Sequence, residues 1–405
     1  MPTFLIESKS CAPKGSDMNE NRKAIPKERF VAAQWLQQSA EDFLAWSRAS
    51  GETQRRASTM GEAIARVALP SWYFDTPGAV ARSLPEALRN CDALTFSQMS
   101  EAVAYAGLHL LDRYGRVMQV LEHLMQIGRL PLRKVGLNVL EVGSGPAPAL
   151  YAAHDFYSML VDWPDRGSTE IAGIKHADSL ERGEAWYPIL HHVSEQLIEI
   201  RGNSQGASVL PFGPSIDDFS GFDTQRRHHE AIAQHARWLL SDFDSADEPI
   251  SLKTAFRMAY QDGGGLPSAY DLVFMCNFLT QPSTAQIFRK ELQKLSRALT
   301  PGGVLIVMGA TGKQYPAIYD EVRDIASAAR LADISPADVF DANLSPHLHI
   351  VSEHMRANVA AALADCSDKE RHDICSRLPE DLWNPDVEFV LPKYQVLAFA
   401  MQKRR

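Results

Sequence analysis

The run Val139-Leu140-Glu141-Val142-Gly143-Ser144-Gly145-Pro146-Ala147-Pro148 is where residue types and spacing constrain chemistry most tightly in this chain. Apolar residues set an acid, Glu141, near a strand's carboxyl end. Gly143 and Gly145 follow where the backbone must turn sharply and a ligand can approach without meeting a side chain. Val142, Ser144 and Pro146 complete the loop. Glu141 has a purely structural reading as well, because a carboxylate there can cap the N-terminus of the next helix, where the dipole favours an anion. The loop lacks the third glycine of a dinucleotide-binding G-x-G-x-x-G, Pro148 standing in its place, and no G-x-x-x-x-G-K-[ST] exists to cradle a triphosphate. The histidine pairs His191-His192 and His228-His229 point about 100° apart if helical, which suits solvated or capping roles better than one metal ion. None of the 5 cysteines forms a C-x-x-C pair, so no metal site is expected.

A strand, the glycine loop and a helix are the elements that must hold this acid. Further strand-like runs cover Glu170 to Ile174, Tyr270 to Cys276, Val304 to Met308, and a C-terminal pair at Val387 to Leu391 and Gln395 to Met401. Helical patterns lie between them, at Ala177 to Ile200, Asp223 to Leu240, Thr284 to Ala298 and Ala317 to Leu331. Strands alternating with helices predict a mostly parallel sheet covered on both faces. Pro301-Gly302-Gly303 ahead of an apolar run reads as a turn feeding a strand. Upstream, apolar residues at helical spacing predict a helical cap or substrate domain over 29–132, after a flexible arm over 1–28. The α/β domain spans 133–405, with insertions near 201–262 and 332–385.

Composition narrows the function classes. With 41 Lys plus Arg against 50 Asp plus Glu the net charge is −9, which argues against nucleic acid as a partner on global electrostatics. No apolar run approaches the roughly 20 residues of a membrane helix. Unpaired cysteines and an N-terminal MPTFLIESKSCAPKGS without a leader-like apolar core lead to the expectation of a cytoplasmic protein.

LNVLEVGSGPA, YDLVFMCNFL and FRKELQKLSRALTPGGVLIVMG, in that order and spacing, resemble the first, fourth and fifth strand motifs of the class I S-adenosylmethionine-dependent methyltransferases. The resemblance covers 137–156 and 270–309. It implies a Rossmann-like, seven-stranded, mostly parallel sheet with the helical region over its cleft, and S-adenosylmethionine as cofactor. By the same resemblance Glu141 holds the methionine amine, and Val142, Gly143, Ser144, Gly145 and Pro146 face the methionyl and ribose parts. The chain departs from the family at its second strand. An acid should end that strand and take the ribose hydroxyls, but Lys175 and His176 stand there, and Asp178, two positions on, becomes the candidate. For adenine, Asp262 fits the spacing better than Asp242 or Asp244, its other reading being a turn residue before Gly263. Asn277 and Phe278 fall where methyl acceptors face the sulfonium, though Asn277 also suits a strand-terminating hydrogen bond. CNFLTQP is not the signature of base amino-methylation. The expected reaction is methyl transfer to an O, N or C nucleophile of a small molecule, with no general base assigned. The alternative is a methyltransferase-fold binding or assembly factor acting on RNA or protein, since GSGPAPALYAA also resembles methyltransferase-like assembly factors of the small ribosomal subunit. A nicotinamide dehydrogenase rests on G-x-G alone.

Overall fold

The computed structural model describes residues 33–68, 78–89, 96–166, 170–181, 185–202 and 269–402, together with Leu94 and Gly183. Asp262, Asp242, Asp244, the second histidine pair, the N-terminal arm and most of the 201–262 insertion lie outside the described residues.

Four helices come first: α1 (Ala33–Ala49), α2 (Glu52–Ala68), α3 (Ala79–Arg89) and the 28-residue α4 (Met99–Gln126). Then β1 (Leu137–Val142), α5 (Pro148–Asp162), β2 (Ile174–Leu180), α6 (Trp186–Arg201) and β3 (Tyr270–Cys276) alternate. The chain continues through α7 (Pro282–Ile287), α8 (Arg289–Arg297), β4 (Leu299–Ala310), α9 (Tyr315–Ala328) and β5 (Leu331–Asp333). It ends in α10 (Leu348–Ala364), α11 (Asp368–Arg377), α12 (Glu380–Trp383) and β6 (Tyr394–Met401).

The described sheet has six strands in the order β2-β1-β3-β4-β6-β5. Pairings from β2 to β4 are parallel, while β6 runs antiparallel to both neighbours. β3 is buried along its whole length, as a parallel strand covered on both faces must be, and its unbroken apolar run follows from that. The two faces bury separate cores. Val139, Leu272 and Ile306 pack under α1–α6 and α10, whereas Leu140, Val273 and Leu305 pack under α7–α9. The strand order reverses about β1, with β2 laid on one side and β3 and β4 on the other, which places a crevice beyond the carboxyl ends of β1 and β3.

Several expectations need correcting. The second strand is not Glu170 to Ile174 but Ile174–Leu180, so Ala177 to Leu180 belong to a strand rather than a helix. At the C-terminus one strand, β6, replaces the expected pair, and its edge partner is the short β5. Pro301-Gly302-Gly303 lies inside β4, where Gly302 takes a left-handed φ of 79° at a break in register with β3. The seventh strand that the resemblance implies is not among the described residues. Among those residues no helix is long and apolar enough to cross a membrane.

A polar cluster fixes the helical layer. Asp155 on α5 accepts from Arg201 Nη1 and Nη2 at 2.8 and 2.9 Å, from Arg56 Nη1 at 3.2 Å and from the Tyr114 hydroxyl at 2.8 Å. One buried carboxylate thereby ties α2, α4, α5 and α6 together.

Candidate functional site

The glycine loop leaves β1 in a conformation that only its sequence permits readily. Gly143 and Gly145 have φ of 61° and 49°, and Ala147, the residue before α5, also sits left-handed at 55°. A Cβ on Gly143 would fall 2.3 Å from the Phe278 ring, so the glycine lets the segment after β3 close against the loop. The Gly143 amide continues the β1–β2 ladder by donating to the Leu180 carbonyl at 2.9 Å, and the Ser144 hydroxyl meets that of Ser179 at 2.6 Å. Val142 and Pro146 are buried beside them.

Glu141 is fully buried, and its Oε2 accepts the Ala149 and Leu150 amides at 3.1 and 3.2 Å, capping α5. The capping reading of the sequence is thus realised by one oxygen. The other, Oε1, finds no hydrogen-bond partner of good geometry; the Cys276 thiol beside it is only a weak donor. Burial raises this carboxyl to about 8, against the pull of the two backbone donors and of Arg113.

Asp178 does not lie at the loop. It faces the other side of the sheet, 1% exposed, and accepts from the Tyr270 hydroxyl at 2.7 Å; burial raises it to about 7. The acid at the end of β2 is Glu181. Its Oε2 accepts from the Gly145 amide and its Oε1 from the Gly183 amide, both at 2.8 Å, so two backbone donors aim it at the loop. Sequence reasoning missed Glu181 because the strand was placed too early. Counting from the true end, Leu180, finds it at once.

Two residues from outside the motifs complete the site. Arg113 on α4 is 8% exposed, donates to the Tyr105 hydroxyl, and lies 4.8 Å from that ring's centroid. In the orientation that satisfies its bonds, the Asn277 side-chain oxygen accepts from Arg113 Nε at 3.1 Å and Nη2 at 3.3 Å. Asn277 itself has a left-handed φ of 54°, with its amide donating to the Met308 carbonyl at 2.8 Å. It follows β3 directly, with its backbone amide on β4 and its side chain on Arg113. Trp186 stands 3.6 Å from where a Gly145 Cβ would be, packed with Phe96 and Tyr105 at centroid separations of 4.9 and 5.6 Å. Among the described residues no group of three or more His, Cys, Asp or Glu side chains is arranged to hold a metal ion.

No protein-family profile matches the sequence, and no curated protein does. Solved structures with a similar arrangement include the magnesium protoporphyrin IX methyltransferase of Synechocystis with bound S-adenosylmethionine. It is 11% identical with a TM-score of 0.33, over 75% of this chain and 84% of that one. Another is phosphoethanolamine N-methyltransferase 2 of Haemonchus contortus with phosphomonomethylethanolamine and S-adenosylhomocysteine, 11% identical with a TM-score of 0.36, over 77% of this chain and 61% of that one. A third is the arsenic(III) S-adenosylmethionine methyltransferase of Chlamydomonas reinhardtii, 13% identical with a TM-score of 0.30, over 66% and 64%. All three are methyltransferases.

Proposed function

We propose that the chain binds S-adenosylmethionine at the carboxyl ends of β1 and β2 and transfers its methyl group to an O, N or C nucleophile of a small molecule. The observation that carries this reading is the pairing of two acids across one left-handed glycine loop. Glu181 is aimed by two backbone amides, and Glu141 is fully buried with one oxygen unsatisfied. The side chains fit the cofactor's functional groups. Glu181, aimed at the loop by the Gly145 and Gly183 amides, offers a carboxylate of the kind that accepts from a ribose diol. An ammonium group would satisfy Glu141 Oε1, and the nearby Arg113 suits a carboxylate, so the pair complements the zwitterionic end of an amino acid. Asn277 and Phe278 border the acceptor side. When bound, the sulfonium supplies a methyl group activated for in-line displacement. The protein's share is positioning and exclusion of water, and the packed Phe96, Tyr105 and Trp186 rings beside Gly145 serve the second task. α1–α4 act as the cap, with α4 contributing Tyr105 and Arg113.

Calorimetric titration with S-adenosylmethionine, S-adenosylhomocysteine and NAD tests the reading. Saturable heat from the first two and none from NAD is expected. Silence from both sulfur ligands, or tighter binding of NAD, overturns it. A second reading, a binding or assembly factor, draws on the same loop, because the Gly143 and Ser144 amides already bond the Leu180 carbonyl and the Gly145 amide bonds Glu181. Cofactor binding without methyl transfer to any nucleophile would favour it.

A further inference from the structure

A cavity of about 610 Å³ opens among α10, α11 and α12, on helices that contribute nothing to the glycine loop. Its volume falls within the range of small-molecule sites, roughly 300–1,000 Å³. The walls are apolar, with Ala360 and Leu363 from α10 and Leu382 from α12, while Trp383 stands at the mouth 42% exposed. Two guanidinium groups line it, Arg356 and Arg371, and they are its only charged lining residues. Neither has a carboxylate within ion-pair distance among the described residues. Arg356 Nε donates to the Asp381 carbonyl at 2.8 Å and its Nη2 to the Val387 carbonyl, whereas Arg371 Nη2 reaches only the Leu363 carbonyl at 3.4 Å. Three acids on the surrounding elements are engaged by other groups. Glu370 closes the capping box of α11 with Ser367, Asp373 pairs with Arg377, and Asp381 Oδ2 accepts the Val390 amide.

A site with apolar walls whose charges, among the described lining residues, are two guanidiniums without a carboxylate partner, Arg371 largely open and Arg356 held over the Phe389 ring with Nη1 left, is complementary to an anionic head on an aliphatic body. We propose that this cavity binds a medium-chain aliphatic carboxylate, its chain along the α10–α12 floor and its head on Arg371 and Arg356. A guanidinium fork matches a carboxylate in shape as well as charge, so the head is recognised by geometry and not by charge alone. The site is separate from the cofactor crevice. It touches that crevice only indirectly, through the opposite side of α10, where Asn358 Nδ2 donates to the Gly107 carbonyl of α4 at 3.1 Å.

The test is calorimetry on the full chain with decanoate, decanol and inorganic phosphate. Decanoate should bind saturably, with decanol and phosphate each weaker by about tenfold or more, because each lacks half of the complementarity. Ala360→Phe, which adds bulk on the exposed α10 side of the site, should weaken decanoate binding by about tenfold or more. Arg371→Gln, on an exposed part of α11, should weaken it by about tenfold. Circular dichroism confirms that each variant folds, and if Ala360→Phe does not, Arg371→Gln and the decanol comparison decide. Equal affinity for decanol and decanoate, unchanged binding by folded Arg371→Gln, or no saturable heat from millimolar decanoate overturns the proposal.

Discussion

Helix α5 meets two buried carboxylates, and they are treated in opposite ways. Asp155, within the helix, is 1% exposed; burial works to raise it, but Arg201, His154 and Arg56 outweigh that and hold it well below the usual carboxylate range. Both of its oxygens are engaged by groups of this same chain. Glu141, at the helix's N-terminus, receives two backbone amides on one oxygen and no well-placed donor on the other, and burial pushes it up to about 8. A carboxylate whose task is to hold helices together is given its cations by the fold. One that the fold leaves short is where a cationic ligand gains most, and such perturbed groups collect at functional sites.

Asp155→Ala should produce the largest effect, because it leaves Arg56 and Arg201 buried without their partner. A loss of about 3–5 kcal/mol in unfolding free energy is expected, and a loss below about 1 kcal/mol by denaturant titration would break the contrast. Next in size is Glu181→Ala, which removes a charged hydrogen-bond acceptor from the ligand side. It should weaken S-adenosylhomocysteine about ten- to a hundredfold, at a stability cost of about 1–3 kcal/mol, below that of Asp155→Ala, from the Gly145 and Gly183 amides it leaves without an acceptor; equal affinity for wild type and variant removes Glu181 from the site.

The third prediction sharpens the comparison through pH. Because the folded carboxyl of Glu141 is raised from 4.5 to about 8, its contribution to stability is full below pH 4.5 and is lost as pH rises toward 8. Relative to Glu141→Gln, the wild type should therefore lose roughly 1–2 kcal/mol between pH 6 and 8, and a saturating cationic ligand should shrink that loss. Asp178, raised to about 7 by burial, loses stability over a lower window and is common to both proteins. Asp178→Asn should have the smallest effect on the cofactor, less than about threefold in affinity. A tenfold weakening measured by the same titration would return Asp178 to the site.

What was legible in the sequence follows from how each strand is buried. β1, β3 and β4 are covered on both faces and read as apolar runs, so Glu141, Gly143, Gly145, Asn277 and Phe278 were found with their surroundings. β2 was not legible in that way. Its sequence IKHADSL carries Lys175, His176, Asp178 and Ser179, and two of its buried polar side chains are met by partners distant in the chain, Tyr270 for one oxygen of Asp178 and Ser144 for Ser179. A polar strand of this kind has no hydrophobic period, and placing it too early makes Asp178, instead of Glu181, the candidate for the proposed ribose contact. Arg113 was hidden for a related reason. It sits in a helix buried on nearly every side, where its charge meets Tyr105 two turns earlier on the same helix and Asn277, which tertiary packing brings to it.

The position of β6 bears on how the chain reaches this arrangement. β5 is made well before β6, yet its sheet partner is β6 and not β4. Among the described residues β6 is therefore the strand that covers the β4 edge from Val304 to Ala310 and that pairs β5. An exposed apolar edge of that kind is a template for pairing with another chain. Insertion of β6 is what covers that edge, so the sheet is closed on this side by the strand made after all its neighbours.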